Sequence, residues 1–174
     1  MNWLKKEQTD GGKQPYLFTQ CEPNYCRSFA PLQDTPAIKA TYSAKVTVMK
    51  GVNVVMSAER VGDAPTPVGT DKQMFEFKLD IKIPSYLLAL AVGDIKVVEL
   101  GTEPHPTYLI CEPLHEAEYT KTLVNLTDGF KRAEDYLNVK YIWGEYALLI
   151  LPASFPYGGM ENPLMTFASP TIMQ

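Results

Sequence analysis

Residues 75–83 read FEFKLDIKI, an unbroken alternation with Phe75, Phe77, Leu79, Ile81 and Ile83 on one side and Glu76, Lys78, Asp80 and Lys82 on the other. A strand points successive side chains to opposite faces, so the pattern predicts an antiparallel strand with one face in a core and one in water. Upstream, TYSAKVTV at 41–48 alternates in the same way, with Tyr42, Ala44, Val46 and Val48 on the apolar side. Between the two, VGDAPTPVGTD at 61–71 is dense in Gly, Pro and Asp and predicts an exposed loop. IKVVEL at 95–100 supplies a third strand. Up to about residue 100 the chain reads as sheet.

Beyond GTEPHP the period changes. Tyr119, Leu123, Leu126, Phe130, Ala133 and Leu137 are spaced 4, 3, 4, 3 and 4 residues apart, the stripe of one amphipathic helix over roughly 114–137. Pro113 suits its first turn, and Asn138 can take the left-handed conformation that ends it. YALLILP at 146–152 is a continuous apolar run, the mark of a strand covered on both faces and a floor for the helix. LMTFAS at 164–169 reads as a further strand. The fold class expected is α+β, with a domain boundary in the break near 100–107. Strands without evident partners followed by a strand, helix and strand do not close on themselves, so pieces of two domains of a longer protein are expected.

Composition narrows the classes. A chain of 174 residues, 45% hydrophobic and 21% charged, is ordinary for a globular protein and can bury about 70% of its unfolded surface. A formal charge of −4 and no local basic patch argue against a nucleic acid as partner. The N-terminus, MNWLKKEQTDGGKQ, lacks the apolar stretch of a signal peptide, and YLLALAVG at 86–93 is too short to span a bilayer. A cytoplasmic protein without a membrane partner is expected. Cys21, Cys26 and Cys111 are odd in number and have no zinc-like spacing, which predicts reduced, mostly buried thiols.

Several motifs lead nowhere. His115-Glu116 resembles the start of an HExxH zinc helix, but position 119 is Tyr and the second ligand is missing. His105 lies between two prolines, ten residues away, and both histidines are expected to face solvent. No GxSxG, P-loop or GxGxxG occurs. What remains is SFPYGGMENP at 154–163, where a buried run gives way to two glycines, one carboxylate and an Asn-Pro stop. Gly158 and Gly159 have no Cβ to hold a ligand away, so a peptide backbone could pair there as an added strand, with Glu161 accepting from a cation. The same residues also suit a tight turn with an exposed glutamate, and composition alone favours that reading.

GGMEN at 158–162 resembles the GxMEN exopeptidase motif of the M1 family of zinc aminopeptidases. PASFPYGGMENP, with FTQCEPNYCRSFAPLQDTP at 18–36, is similar to the branch of that family containing leukotriene A4 hydrolase and aminopeptidase B. WGEYALLILP leads into the second motif, and the resemblance runs along nearly the whole chain. It implies that residues 1–100 are the latter part of the family's N-terminal β domain and that 101–174 open its thermolysin-like catalytic domain.

Carried over position by position, the resemblance implies that Glu161 binds the free α-ammonium of a peptide and that Gly158 and Gly159 bind its main chain. Tyr157 and Met160 would line the pocket for the first side chain, and Gln20 and Glu22 would reach the same pocket from the β domain. Two carboxylates on one ammonium would select free N-termini over interior bonds. Glu22 departs from the branch, where a second glutamine stands, and matches the broader family; the second anion tilts the reading toward peptide rather than epoxide hydrolysis.

The family's HExxH helix, the further glutamate and the oxyanion-stabilising tyrosine follow GxMEN in sequence, and only twelve residues follow Asn162 here, none of them histidine. The expectation is therefore a fragment with no catalytic residue, no metal ligand and no activity alone. The intact enzyme would use zinc to remove N-terminal residues from peptides. Two alternatives remain: a bifunctional enzyme that also opens a lipid epoxide, and a non-catalytic β-rich module that binds peptides or a partner protein.

Overall fold

The alternating stretches become two long strands that pair with each other. The computed structural model describes residues 1–173 and divides into two units, Met1–Ile95 and Lys96–Gln174. In chain order the first unit contributes β1 (Asn2–Leu4), β2 (Tyr16–Phe18), β3 (Lys39–Met49), β4 (Asn53–Met56), β5 (Glu59–Arg60), β6 (Thr66–Val68), β7 (Lys72–Pro84) and β8 (Leu90–Gly93). β3 and β7 run antiparallel with Lys45 opposite Glu76, and the two side chains form an ion pair at 3.2 Å. Tyr42, Ala44, Val46 and Val48 are half-buried and their neighbours exposed, while Phe75, Phe77, Leu79 and Ile83 are buried, as the period of two requires.

Ile81 departs from its expected place and is 41% exposed. The register explains it. Leu79 pairs with Tyr42 and Ile83 with Ala40, so Asp80, Ile81 and Lys82 together oppose Thr41, and the bulged residues leave the buried face. The predicted loop at 61–71 is almost wholly exposed but contains β6, which with β5 takes the other edge of β7. A second sheet, in the order β1-β2-β8-β4, is antiparallel throughout. Gly93 is needed there, because a Cβ would come within 2.5 Å of the buried Tyr16 ring.

The second unit contains β9 (Lys96–Gly101), β10 (Thr107–Cys111), α1 (Glu116–Thr122), α2 (Leu126–Leu137), β11 (Tyr146–Ile150), β12 (Gly159–Met160) and β13 (Met165–Ala168). They form one sheet in the order β12-β13-β11-β10-β9, with β10, β11 and β13 mutually parallel and the two edge strands antiparallel. Because β9 pairs with β10, the units divide between Ile95 and Lys96. Leu148 and Ile150 of β11 pack with Leu109, Cys111 and Ala168 against Tyr119, Leu123 and Leu126 of the helical segment. Leu149, Ile110 and Phe167 on the opposite face are also buried, so β11 is covered on both sides.

The predicted single helix is instead two, broken at 123–125. Leu123 and Leu126 both reach the sheet across the break, whereas Val124 and Asn125, weak helix formers, face solvent. Asn138 is left-handed at φ 52°, as predicted for the end of α2. Ala133 and Leu137 are exposed, and Glu134 takes the inward position instead. Its carboxylate accepts from Tyr141 N at 2.8 Å, from Lys140 Nζ at 2.9 Å and shares a 2.8 Å hydrogen bond with His105 Nε2. Those partners hold it at about 2, the Tyr141 amide contributing most. Neither histidine faces solvent as expected: His105 is a spoke of this cluster, packed against Phe130 and Tyr141, and His115 stacks on Tyr119 at 4.9 Å.

Candidate functional site

The buried run of β11 continues through Leu151, whose N–H donates to Ala168 O at 2.9 Å, and then turns away from the sheet. Phe155 folds back to bury itself edge-on against Phe167, with ring centroids 6.0 Å apart. This contact returns the chain to the sheet, where β12 pairs with β13, Gly159 opposite Ala168 and Met160 opposite Phe167. Ser169 N–H donates to Gly158 O at 3.0 Å and extends the pairing by one residue.

β12 is terminal in its sheet, so among the described residues only one of its edges is paired with a strand. The side chains alternate across it. Met160 is 3% exposed and anchors the strand, while Gly158, Gly159 and Glu161 are exposed and Tyr157 is 51% exposed with its ring against Phe155. The two glycines differ in their surroundings. A Cβ on Gly158 would meet nothing within 4 Å, whereas one on Gly159 would lie 3.2 Å from Phe167 O. Gly159 is thus closely packed against β13, and Gly158 opens onto free space.

The five motif residues 157–161 stand together on this edge, and Asn162 completes them. It is 4% exposed, and its amide donates to Met160 O at 3.4 Å, so it closes the turn beyond Glu161. Leu164 then takes a left-handed conformation at φ 65°, and its carbonyl accepts from Ala147 N at 2.8 Å. The sequence reads Asn162 with Pro163 as a stop after the motif, and the turn it closes agrees with that.

Gln20 and Glu22 belong to the first unit, just after β2. Thr19 N donates to Leu90 O and Thr19 Oγ1 accepts from Leu90 N, at 3.0 and 2.9 Å, fixing the residue before Gln20 to β8. Gln20 is half-buried, with its amide oxygen enclosed and without a hydrogen-bond partner. Glu22 is exposed.

No three His, Cys, Asp or Glu among the described residues gather into a metal-holding group, and the two histidines are engaged with Glu134 and Tyr119. All three cysteines are free and buried. No helix of the described residues is long and apolar enough to cross a membrane.

Comparison with known proteins agrees with this architecture. Residues 4–87 match the model of the peptidase M1 N-terminal domain. The chain is 45% identical to leukotriene A-4 hydrolase of Xenopus laevis over 176 residues, covering 99% of this chain and 28% of that protein. It is 40% identical to leucine aminopeptidase 2 of Coccidioides immitis, covering 99% of this chain and 27% of that one. A solved structure of yeast LTA4 hydrolase in complex with bestatin superposes with a TM-score of 0.84 at 33% identity, covering 99% of this chain and 25% of that chain. The chain thus spans about a quarter of the length of the relatives it matches. A β-rich α+β chain whose sequence and backbone both follow these hydrolases along nearly its entire length thus carries, over residues 4–87, a peptidase M1 N-terminal domain.

Proposed function

We propose that this chain carries the substrate-recognition elements of a zinc aminopeptidase that removes N-terminal residues from peptides. The observation that supports it most is the edge strand β12. Gly158 and Gly159 are exposed on an edge that another strand could join, and the Glu161 carboxylate stands two residues beyond. A peptide added to that edge would exchange main-chain hydrogen bonds with it, and its α-ammonium would meet Glu161. In this reading the family resemblance gives Gln20 and Glu22 a part in recognising a free N-terminus, and Tyr157 and Met160 a part in recognising the first side chain. Residues 1–100 and 101–174 act as the end of the β domain and the start of the thermolysin-like domain. Zinc and the attacking water belong to the intact enzyme, and this chain alone neither binds the metal nor cleaves peptides. The reducing cytoplasm suits its three free thiols.

Calorimetric titration with a short peptide bearing a free N-terminus, and with its N-acetylated form, tests this. The free form should bind more tightly, and Glu161→Gln should remove about tenfold or more of that preference, the scale of one charged hydrogen bond. Equal binding of the two forms by the unsubstituted chain would overturn the reading.

A second reading rests on the 45% identity to a protein named leukotriene A-4 hydrolase. An epoxide of a fatty acid has no ammonium, so in a full-length enzyme that opened one, Glu161→Gln would depress peptide turnover and leave epoxide turnover responding differently.

A further inference from the structure

Residues 19–34 form a strap that is tied down at both ends to the same stretch of chain. Thr19 bonds Leu90, as described, and at the far end Asp34 Oδ1 accepts from Ser85 Oγ at 2.6 Å. The other carboxylate oxygen, Oδ2, accepts from Arg27 N at 3.0 Å and Arg27 Nε at 3.1 Å, and Arg27 Nη2 donates to the Asp34 carbonyl at 3.1 Å. The Asp34 side chain is only 2% exposed. Within the strap, Tyr25 N donates to Cys21 O at 2.7 Å, and Phe29 N and Ala30 N both donate to Cys26 O, with Cys21 and Cys26 buried. Residues 22–25 are left as an exposed tip between these ties.

An exposed ion pair would do little to hold such a tip, because entropy and solvent screening consume most of its attraction. Asp34 is different. It is enclosed, both of its oxygens are used, and its donors come from two stretches of chain, Arg27 inside the strap and Ser85 outside it. The Ser85 hydroxyl, followed by the Arg27 amide and guanidinium, holds its carboxyl below the usual carboxylate range. Recognition of an ammonium by hydrogen bonds demands placement to within about 0.5 Å, so a flexible tip would forfeit most of the selectivity that Gln20 and Glu22 could give.

We propose that Asp34 is a positioning residue. Through Arg27 and Ser85 it fixes the strap so that Gln20 and Glu22 are held ready for the free N-terminus of a peptide, without touching the peptide itself. The proposal rests on the recognition role given to Gln20 and Glu22 above and adds the group that makes it selective.

Asp34→Asn and Ser85→Ala test it on the full chain, the second removing only the 2.6 Å bond. Three readouts are taken: amide hydrogen exchange of Tyr25, Ser28, Phe29 and Ala30, the affinity ratio of free to N-acetylated peptide, and the thermal midpoint. Asp34→Asn should accelerate exchange across the strap while β3 and β7 stay protected. It should also lower the free-to-acetylated ratio by about tenfold, equivalent to about 1.4 kcal/mol, with Ser85→Ala intermediate. Exchange in the strap that stays as slow as in the unsubstituted chain would overturn the proposal, as would faster exchange with the ratio intact. If the unsubstituted chain shows no preference for the free form, the recognition reading fails and takes this role for Asp34 with it; that outcome is visible before any variant is made.

Discussion

Adding one methyl group at Gly158 and one at Gly159 should have opposite effects on stability, although the two residues are adjacent and both exposed. Neither has a positive φ, so alanine can take the backbone conformation at both positions. At Gly158 the new Cβ meets nothing within 4 Å, and the loss of freedom in the unfolded chain should stabilise the protein by about 0.4–1 kcal/mol. At Gly159 it would sit 3.2 Å from Phe167 O, a backbone atom of the buried strand β13 that cannot swing aside as a flexible side chain can. Overpacking of this kind costs about 1–3 kcal/mol. With a urea slope of about 2 kcal/mol per molar, the first variant should melt about 0.2–0.5 M higher than the unsubstituted chain and the second about 0.5–1.5 M lower.

Binding separates the glycines again. If a peptide main chain lies against Gly158, the methyl that stabilises the free protein occupies its place, and affinity for a free N-terminus should drop by about tenfold. A Gly158→Ala chain that is more stable and binds less well would mean that the glycine is kept for the ligand and not for the fold. Unchanged binding would refute the passage of a peptide over that residue. A Gly159→Ala chain as stable as Gly158→Ala would refute the close approach to Phe167.

Two further outcomes concern the second unit. Glu134 is held at about 2 from an ordinary 4.5, so its contribution to stability is complete above about 4.5 and is lost as pH falls toward 2; urea midpoints across that range should fall more steeply in the unsubstituted chain than in Glu134→Gln, and parallel slopes would count against the cluster. Leu149→Ala, on a fully buried residue of β11, should cost about 2–5 kcal/mol, whereas Leu137→Ala, 64% exposed at the end of α2, should change the denaturation midpoint by no more than about 0.5 kcal/mol allows.

What could be read in the sequence was whatever a short, contiguous pattern encodes. FEFKLDIKI and TYSAKVTV declare their strands because one face is buried and the other is not, and YALLILP declares a doubly covered strand by lacking alternation. β1, β2 and β8 are three or four residues long, too short for any period to show. The break between α1 and α2 was hidden because Leu123 and Leu126 keep helical spacing across it. Glu134 was hidden for another reason. A carboxylate on a helix is expected to face water, and only His105, which lies 29 residues earlier, together with the Tyr141 amide and Lys140, makes its inward turn affordable. The candidate site divides along the same line. Tyr157 to Glu161 are consecutive and so legible together, but the residue that ties down the strap of Gln20 and Glu22 finds its partner Ser85 51 positions away. A recognition motif can be written in five letters because its residues are consecutive in one short segment around β12, whereas the groups that hold a motif rigid are drawn from wherever the fold brings a donor within reach. Asp34 is such a group, and nothing in the segment around it distinguishes its carboxylate from a solvated one until β7 has delivered Ser85 to within 2.6 Å.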